Sequence, residues 1–489
     1  MFFLLLFSTT LLVNGDVEIP ACPGTITFNP ILNSSYIIYP PKWTGSDPPL
    51  FPYNYTCEYR INAPQGWYAS VSLSVKTNYR GSNPPVLVTD QLQRTEKIWS
   101  VGYEPFYFLA NGGTIQLSTG MASVQFGFWL TWKQLPSSPP SHVTVSSQPY
   151  LLALNQSDPF QVTADTRVSA VMLQSYNSQN RDFRTIMFFD GPDWNSTCLG
   201  TGKQLLDGKT QYVSSGKYLT VIFLNYAQPI NSYRVMLQDY DRTKEIVHFQ
   251  SMQCYYRADC GKFTIDASTG PTAFLTYTDL ETIADVVTDI GGTGKLDVYI
   301  GGVTEMKANL IASYSPSRNN DYSLPQEFLG KIKTYLLTDG KANITLTRDI
   351  SYFEDTKNLG RSGFISSNEY GTITLDQDSH TRIFSPNKTS VAKFKYYIQN
   401  AALLGAQKMD IVGWHQNSTV FKRHFGRENL PSINLVEEFY GTMLEVTYHA
   451  NDQQDTGFLM GFTVEKSSSS TCVMTVFGLL FIIDFFRLH

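Results

Sequence analysis

The stretch that decides the fold is residues 57–75, which read CEYRINAPQGWYASVSLSV. Its second half alternates between apolar residues and serines, and the apolar side chains share one face: Ala69, Val71, Leu73 and Val75. Successive side chains of a strand point to opposite faces, so this pattern predicts a half-buried strand. Residues 123–133, SVQFGFWLTWK, repeat the pattern and predict a second strand.

The same alternation recurs along the chain, whereas helical spacing is scarce. Residues 279–287, DLETIADVV, are the best case of helical spacing, and they predict one short helix that includes Leu280, Ile283, Ala284 and Val287. Further strands are predicted at residues 218–226, 233–240, 295–302, 342–349, 442–450 and 457–466.

Four of the predicted strands recur at a regular interval, near residues 130, 237, 345 and 461. The interval is roughly 105 to 115 residues, which is typical of repeated domains. An apolar strand and a glycine-containing turn precede each of them, so we expect every repeat to end in a hairpin. The chain is therefore predicted to be all-β, with four tandem antiparallel, jelly-roll-type β-sandwiches. Their expected bounds are 16–136, 141–242, 243–350 and 351–466, with a Pro- and Ser-rich linker at 135–143.

Composition indicates a β-rich extracellular protein. Of 489 residues, 16% are charged and 14% are aromatic. The 37 basic and 42 acidic residues give a net charge of −5. The chain thus lacks the basic excess of a nucleic-acid-binding protein, and we expect no nucleic-acid partner.

The two ends of the chain are apolar. Residues 1–15 carry no acidic or basic side chain and predict a secretory signal peptide. Residues 467–489 comprise a Ser-rich stem and a hydrophobic tail, whose apolar run at 473–483 is shorter than the ~20 residues that span a bilayer. This outline fits a GPI-attachment signal with Ser467 or Ser468 as the candidate anchor site. Plain secretion and a short membrane anchor are the alternatives.

The cysteines predict disulfides, because secreted chains are oxidised. Cys254 and Cys260 can close a tight loop, which would leave Cys198 unpaired; a Cys198–Cys254 bridge is the alternative. Cys472 lies in the tail, and no spacing typical of zinc ligands occurs, so no metal is expected.

Asparagine-linked glycosylation is also predicted. Seven asparagines begin an Asn-x-Ser/Thr sequon, and each one that carries a glycan must be exposed to solvent. These asparagines are Asn33, Asn54, Asn155, Asn195, Asn343, Asn387 and Asn417.

The segment at Cys57 resembles the second-cysteine segment of a CUB domain, with its aromatic residue, Pro-x-Gly turn and alternating strand. Upstream, residues 22–26, CPGTI, and Tyr39-Pro40 resemble the opening of that domain. In CUB domains these two cysteines pair, so the resemblance implies a Cys22–Cys57 disulfide and CUB-like sandwiches.

The second repeat carries a similar pattern in residues 186–200 and 212–223. The positions that match are Asp190, Gly191, Pro192, Ser214, Ser215, Gly216, Leu219, Thr220 and Phe223. Weakly similar repeats with low charge resemble the nematode secreted CUB-like domain family. That resemblance implies a role in innate immune defence against microbes, at or outside the cell surface.

Many CUB domains bind calcium through carboxylates, but the resemblance does not extend to those positions. Arg184 stands where an aspartate is expected, and Asn225-Tyr226 replace the expected Ser-Asp. Calcium requires several converging oxygens, so no calcium site and no cofactor are predicted. Asp376-Gln377-Asp378 with His380 is interpreted as a solvated loop.

Nothing in the sequence predicts catalysis. No histidine lies in a nucleophile or zinc-protease motif. Residues 291–295, GGTGK, superficially resemble a phosphate-binding loop, but a leucine follows the lysine where such a loop requires serine or threonine. They are therefore interpreted as a hairpin turn. Aromatic residues could stack on sugars, although alternation places most of them in the core. Trp129 falls on the face opposite to its apolar neighbours, and an exposed Trp129 or Trp43 would be the candidate carbohydrate contact; Trp67 and Trp132 are expected in the core.

We therefore expect a non-enzymatic extracellular or cell-surface recognition protein. Its partner would be an extracellular protein or a glycan, including those of microbial surfaces, and it would meet a membrane only through a lipid anchor. A structural coat component and a secreted hydrolase are the alternatives.

Overall fold

The computed structural model consists almost wholly of strands. Its described part contains one α-helix, α1 (Gly202–Asp207), and three 3₁₀ turns (Asn180–Thr185, Tyr240–Arg242 and Pro386–Lys388). The structure describes residues 17–31, 36–44, 47–78, 81–153, 158–174, 180–224, 234–254, 258–278, 284–304, 307, 309–315, 320, 324–349, 360–373, 376–450 and 457–466. Within these residues no helix is long and apolar enough to cross a bilayer.

Unit 1 is a two-sheet sandwich. One sheet has the order β1-β4-β9-β6-β7, with β1 parallel to β4, and the other has the order β2-β10-β5-β8, with β3 also paired to β10. Its strands are β1 (Thr25–Phe28), β2 (Ile37–Tyr39), β3 (Leu50–Phe51), β4 (Thr56–Ile61), β5 (Trp67–Thr77), β6 (Val86–Thr89), β7 (Thr95–Ile98), β8 (Val101–Phe108), β9 (Gly113–Ser118) and β10 (Val124–Gln134).

Unit 2 has sheets β11-β13-β18-β15-β16 and β12-β19-β14-β17. Its first strand is again parallel to its neighbour, β13. The strands are β11 (Ser141–Thr144), β12 (Tyr150–Ala153), β13 (Phe160–Thr163), β14 (Val168–Leu173), β15 (Ile186–Asp190), β16 (Thr197–Thr201), β17 (Tyr212–Val213), β18 (Tyr218–Phe223) and β19 (Arg234–Asp239).

Unit 3 has a sheet β20-β22-β27-β24-β25 and four further strands in the order β21-β28-β23-β26. Here β20 is parallel to β22. The strands are β20 (His248–Ser251), β21 (Asp259–Asp266), β22 (Thr272–Tyr277), β23 (Asp285–Gly292), β24 (Leu296–Ile300), β25 (Leu310–Tyr314), β26 (Gln326–Leu329), β27 (Ile332–Leu337) and β28 (Lys341–Thr347).

Unit 4 has strands in the orders β29-β36-β31-β34 and β30-β35-β32-β33. Its β29 pairs in parallel with β26, so units 3 and 4 share one eight-stranded sheet. The strands are β29 (Arg361–Ser366), β30 (Ser379–Phe384), β31 (Ala392–Ala401), β32 (Lys408–His415), β33 (Ser418–Phe425), β34 (Glu437–Gly441), β35 (Met443–His449) and β36 (Phe458–Lys466).

All four units repeat one topology, which confirms an all-β chain of tandem sandwiches. Units 1 to 3 have the same strand order apart from the added β3, and unit 4 has that order without the first, parallel strand among its described residues. The strands predicted near residues 130, 237, 345 and 461 are β10, β19, β28 and β36, and they occupy the same position in each unit. Apolar side chains from both sheets of each unit meet between them.

The predicted final hairpins are wrong. In every unit the last two strands lie in opposite sheets, as β9 and β10 do in unit 1. Each sheet of a sandwich buries only its inner face, so a chain that crosses between the sheets still gives both strands the alternating pattern. Periodicity alone therefore cannot distinguish a hairpin from a crossing.

Two local predictions in unit 3 are also wrong. Residues 279–283 lie outside the described part, and the rest of the expected helix enters β23. Val287 packs in the core of unit 3 and Val286 in that of unit 4, so the first three residues of this strand are buried on both faces and do not alternate. Residues 291–295 connect strands of the two sheets instead of forming a hairpin. This connection is tightly packed at Gly294, where a Cβ would lie 1.9 Å from the Asp339 carbonyl oxygen.

Candidate ligand surface

Four aromatic side chains of unit 1, here called the aromatic cluster, lie together on the outer face of the β2-β10-β5-β8 sheet: Tyr36, Trp43, Tyr103 and Trp129. Trp129 lies on β10, where its neighbours Phe128 and Leu130 point into the core. Alternation therefore turns the Trp129 indole outwards, and the side chain is 42% exposed.

The rings of the aromatic cluster contact one another. The Trp129 ring centroid lies 5.6 Å from that of Tyr103, 6.2 Å from that of Trp43 and 6.5 Å from that of Tyr36. Tyr36 and Tyr103 are 57% and 38% exposed, whereas Trp43 is only 2% exposed. Three of the rings thus offer a surface to solvent, and the fourth supports them.

Trp43 is held from beneath by close packing. Its Nε1 donates a hydrogen bond to the Asp47 carbonyl oxygen at 2.8 Å, and its ring is stacked at 7° to the plane of Tyr103. A Cβ at Gly127 would lie 2.6 Å from the Trp43 ring, so only glycine leaves room for the indole there. The sequence singled out Trp43 together with Trp129; the structure brings them into contact but leaves only Trp129 exposed.

Two residues at the cluster have a left-handed backbone conformation. Tyr103 has φ +56° and Lys42, next to Trp43, has φ +64°. Non-glycine residues adopt this left-handed region at a cost of order 1–3 kcal/mol each, and they are enriched at binding sites. Sequence reasoning missed Tyr36 and Tyr103, because neither lies in an alternating stretch that would mark an outward-facing ring.

The other aromatic candidates belong to the core. Trp132 is buried, and its Nε1 donates to the Asn62 carbonyl oxygen at 2.7 Å. Trp67 is partly buried and packs against the same core. The expectation that alternation places these two rings inside the sandwich agrees with their positions.

Hydroxyl groups surround the exposed indole. On the neighbouring strand β5, Ser72 lies directly opposite Trp129. Thr131, two residues along β10, shares the outer face and lies opposite Ser70. The surface therefore combines flat apolar rings with small polar side chains.

The described residues form two disulfides. Cys22 pairs with Cys57, with 5.7 Å between their Cα atoms, and Cys254 pairs with Cys260 at 5.6 Å. The alternative Cys198–Cys254 bridge is therefore not formed, and Cys198 is a free cysteine. Burial raises the pKa of its thiol to about 11, so it is protonated at neutral pH.

The sequons differ in accessibility. Asn54, Asn195 and Asn417 are exposed, whereas Asn343 is half-buried on β28, where it accepts a hydrogen bond from Thr264 Oγ1 at 2.7 Å. Asn33, Asn155 and the side chain of Asn387 lie outside the described part. The signal peptide 1–15 and the anchor candidates Ser467 and Ser468 also lie outside it.

Arg184, which stands where the resemblance expects an aspartate, binds two glutamates of unit 1. Its Nη2 lies 2.7 Å from Glu96 Oε2 and its Nη1 lies 2.9 Å from Glu104 Oε2. The guanidinium also lies over the Phe106 ring at 4.1 Å. This position therefore joins units 1 and 2, and the described residues contain no group of three or more His, Cys, Asp or Glu side chains placed to hold a metal.

The interpretation of residues 376–380 as a solvated loop is wrong for one of its carboxylates. Asp376 is buried and accepts a hydrogen bond from the Glu369 backbone N–H, and burial raises its pKa. Asp378 is exposed and pairs with His449, while His380 pairs with Glu445. Asp376 is buried because the chain folds back over it at Gly457. The two residues are so close that a Cβ at Gly457 would contact Asp376 Oδ2.

Comparison with known families matches three consecutive segments of the chain. Residues 17–136 match a family described as CUB-like domain. Residues 142–224 match a Domain of unknown function (DUF7592), and residues 241–349 match a Domain of unknown function (DUF7591). No curated protein sequence matches the chain.

Solved structures of two CUB-containing fragments are similar in part. The CUB1-EGF-CUB2 domain of human MASP-1/3 is 9% identical, with a TM-score of 0.16, and the match covers 42% of this chain and 98% of that chain. The CUB1-EGF-CUB2 domains of rat MASP-1 are 10% identical, with the same TM-score of 0.16, over 66% of this chain and 100% of that chain. At this TM-score neither likeness extends to the arrangement of the whole chain. The family comparison identifies residues 17–136 as a CUB-like domain.

Proposed function

We propose that this chain is a non-enzymatic extracellular recognition protein that binds glycans through the aromatic cluster. The CUB-like domain supports the general class, because CUB-like domains are extracellular modules that bind partners and generally do not catalyse reactions. Two disulfides, one of them within that domain, are typical of proteins folded in an oxidising compartment.

The contact between Trp129 and Tyr103 carries this proposal. Their ring centroids are 5.6 Å apart, both side chains are more than a third exposed, and Trp43 fixes them from below. Tyr and Trp offer large rigid contact areas at a small entropic cost, and a pyranose ring presents a face of C–H groups to such a surface. The hydroxyls of Ser72 and Thr131 provide hydrogen-bonding groups beside the rings.

The finer proposals rest on the sequence. The chain would be exported by the signal peptide 1–15 and then secreted or held on the outer face of the plasma membrane through Ser467 or Ser468. Four CUB-like domains would span 16–136, 141–242, 243–350 and 351–466. Resemblance to the nematode secreted CUB-like family supports a role in defence against microbes, whose surface glycans would be the ligands.

Glycan-array binding of the purified chain tests the proposal. Trp129→Ala removes the exposed indole and is expected to weaken binding to every recognised glycan by at least about tenfold, equivalent to ~1.4 kcal/mol. Tyr218→Ala, which removes a ring of similar exposure from unit 2, serves as the matched control and should bind normally.

Equal binding by Trp129→Ala and the native chain would exclude the aromatic cluster as the glycan site. Absence of binding to any glycan or bacterial surface would favour a structural coat component. For the lipid anchor, release of the protein from cells by a phosphatidylinositol-specific phospholipase C is the expected result.

A further inference from the structure

A second exposed surface lies at one end of the unit 4 sandwich. The loop at residues 402–407 connects β31, which ends at Ala401, to β32, which begins at Lys408. The loop at residues 426–436 begins beside it, because the last residue of β33, Phe425, lies opposite Met409 of β32. The Asn434 backbone N–H donates to the Ile398 carbonyl oxygen at 2.8 Å, which fixes the longer loop along β31.

Five aliphatic side chains are exposed on these two loops, and we call them the apolar end. They are 49 to 68% exposed. Exposed apolar side chains grouped on neighbouring loops, unlike single ones, mark surfaces that contact a protein or a membrane. The apolar end consists of Leu404, Leu430, Ile433, Leu435 and Val436.

The composition of the apolar end favours lipid over protein as its partner. Its exposed apolar side chains are aliphatic, whereas protein interfaces are enriched in aromatic residues, methionine and arginine. Leucine, isoleucine and valine are favourable in hydrocarbon.

Charge points to anionic lipid. Lys408 and Arg427 flank the apolar end, both are exposed, and neither forms an ion pair with a described residue. The nearby acids are Glu428 and, directly after Val436, Glu437 and Glu438, but the last two pair with Arg423 and Lys393. Unpaired cations at a bilayer surface are attracted by anionic headgroups.

The apolar end extends from the far end of β31 to about the middle of that strand. Because β36 is antiparallel to β31, Phe458 lies opposite Ala401 and Lys466 lies opposite Ala392. The ten residues of β31 therefore separate Lys466 from Leu404 by ~30 Å, at about 3.3 Å per residue. Leu435 and Val436 lie about halfway along β31, since the next residue, Glu437, pairs with Tyr396.

We propose that the apolar end inserts into the surface of an anionic lipid bilayer, with Lys408 and Arg427 at the headgroups. This surface belongs to unit 4, at the other end of the chain from the aromatic cluster, and does not depend on glycan binding. A chain that carries both would contact a lipid surface and a glycan with separate units.

Vesicle flotation tests the proposal directly. The native chain should float with phosphatidylcholine–phosphatidylglycerol vesicles. The fraction that floats should be at least about tenfold smaller with phosphatidylcholine alone, because those vesicles lack the anionic headgroups that attract Lys408 and Arg427. The double variant Leu435→Asp, Val436→Asp should lose flotation and keep the native melting temperature, since both side chains are exposed. Val391→Asp, in the same unit beside Ala392 and 40% exposed, is the matched control and should float normally.

Three results would overturn the proposal. These are no flotation of the native chain, flotation of the double variant equal to that of the native chain, and equal flotation with both kinds of vesicle. Sedimentation velocity of the same proteins identifies the alternative: a dimer that the double variant abolishes, without vesicle binding, would make the apolar end an interface between copies of this chain.

Discussion

The junction between units 1 and 2 and the junction between units 3 and 4 each place a glutamate beside a buried arginine, but with different geometry. At the first, Arg184 donates hydrogen bonds to the Glu96 carboxylate at 2.7 to 3.2 Å and to Glu104 at 2.9 Å. At the second, Arg361 Nε lies 3.1 Å from Glu327 Oε1 without alignment for a hydrogen bond, and the backbones of β26 and β29 pair directly.

The difference shows in the protonation of the two glutamates. Burial alone would raise the pKa of Glu96, but the hydrogen bonds and charge of Arg184 lower it below its usual range. Burial raises the pKa of Glu327, and the charge of Arg361 only partly opposes this. Ionisation of Glu96 is therefore favoured in the folded chain, whereas ionisation of Glu327 is not. The second junction depends instead on the backbone pairing of β26 with β29.

The largest expected effect comes from breaking the first junction. Arg184→Met leaves the partly buried Glu104 without this cation and leaves Glu96 with only Lys203, at 3.3 Å. Removal of one partner from a buried pair costs about 3–5 kcal/mol, and we expect a loss near the lower bound because both glutamates are partly exposed. We expect a lower melting temperature by calorimetry and faster proteolysis between units 1 and 2.

Arg60→Met, which removes an exposed arginine paired with Glu58, is the control and should change stability by less than about 1 kcal/mol. Equal effects of the two substitutions would show that Arg184 does not join the units.

The second junction should be most sensitive to its backbone pairing. A Cβ at Gly363 would lie 2.6 Å from the Glu327 carbonyl oxygen and 2.7 Å from the Phe462 ring. Gly363→Val is therefore expected to cost about 1–3 kcal/mol through overpacking, measured by chemical denaturation. Gly291→Val, on a strand of the same sheet with open space at its Cβ, should cost less; the reverse order would contradict a tightly packed β26–β29 contact.

A buried ion cluster inside unit 3 gives a smaller, pH-dependent effect. Lys333 lies 3.5 Å from Asp285, whose other oxygen accepts a hydrogen bond from Arg348, and burial lowers the pKa of Lys333 to about 8. Unfolded lysine titrates near 10.5, so the unfolded chain binds more protons between the two values and stability should rise with pH across that range. Denaturation at pH 8 and pH 10 should show this increase in the native chain and lose part of it in Lys333→Met. Identical pH dependence in both would contradict the burial of a charged Lys333.

How much of this could be predicted from sequence depends on whether the signal is local. Alternation within β5 and β10 predicts the sandwich and the outward position of Trp129, because a strand's faces are set by its own residues. It fails at the start of β23, where Val286 and Val287 pack against the cores of different units. The partners of Arg184 lie 80 and 88 residues earlier in the chain, and nothing in the local pattern connects them.

The candidate site shows the same limit. The outward position of Trp129 was predicted because its own strand alternates. Trp43 was a candidate contact only if exposed, and it is covered by rings from other segments. Tyr36 and Tyr103 join the aromatic cluster only because β2 and β8 lie in the same sheet as β10. The residues that make up a surface shared by several strands follow from topology, which the periodicity of single strands does not specify.

Replacing each junction glutamate by glutamine tests the contrast most directly, because glutamine imitates the protonated form. At pH 7 Glu96→Gln should lower the melting temperature, since the lowered pKa of Glu96 means that its ionised form stabilises the fold, and this loss should diminish as pH falls through that pKa. Glu327→Gln should leave the melting temperature unchanged or raise it at pH 7, since its raised pKa means that the ionised form is unfavourable in the fold. The predicted result is that the melting temperature falls in Glu96→Gln and does not fall in Glu327→Gln. Equal losses of melting temperature in both variants would contradict the account of two physically different junctions.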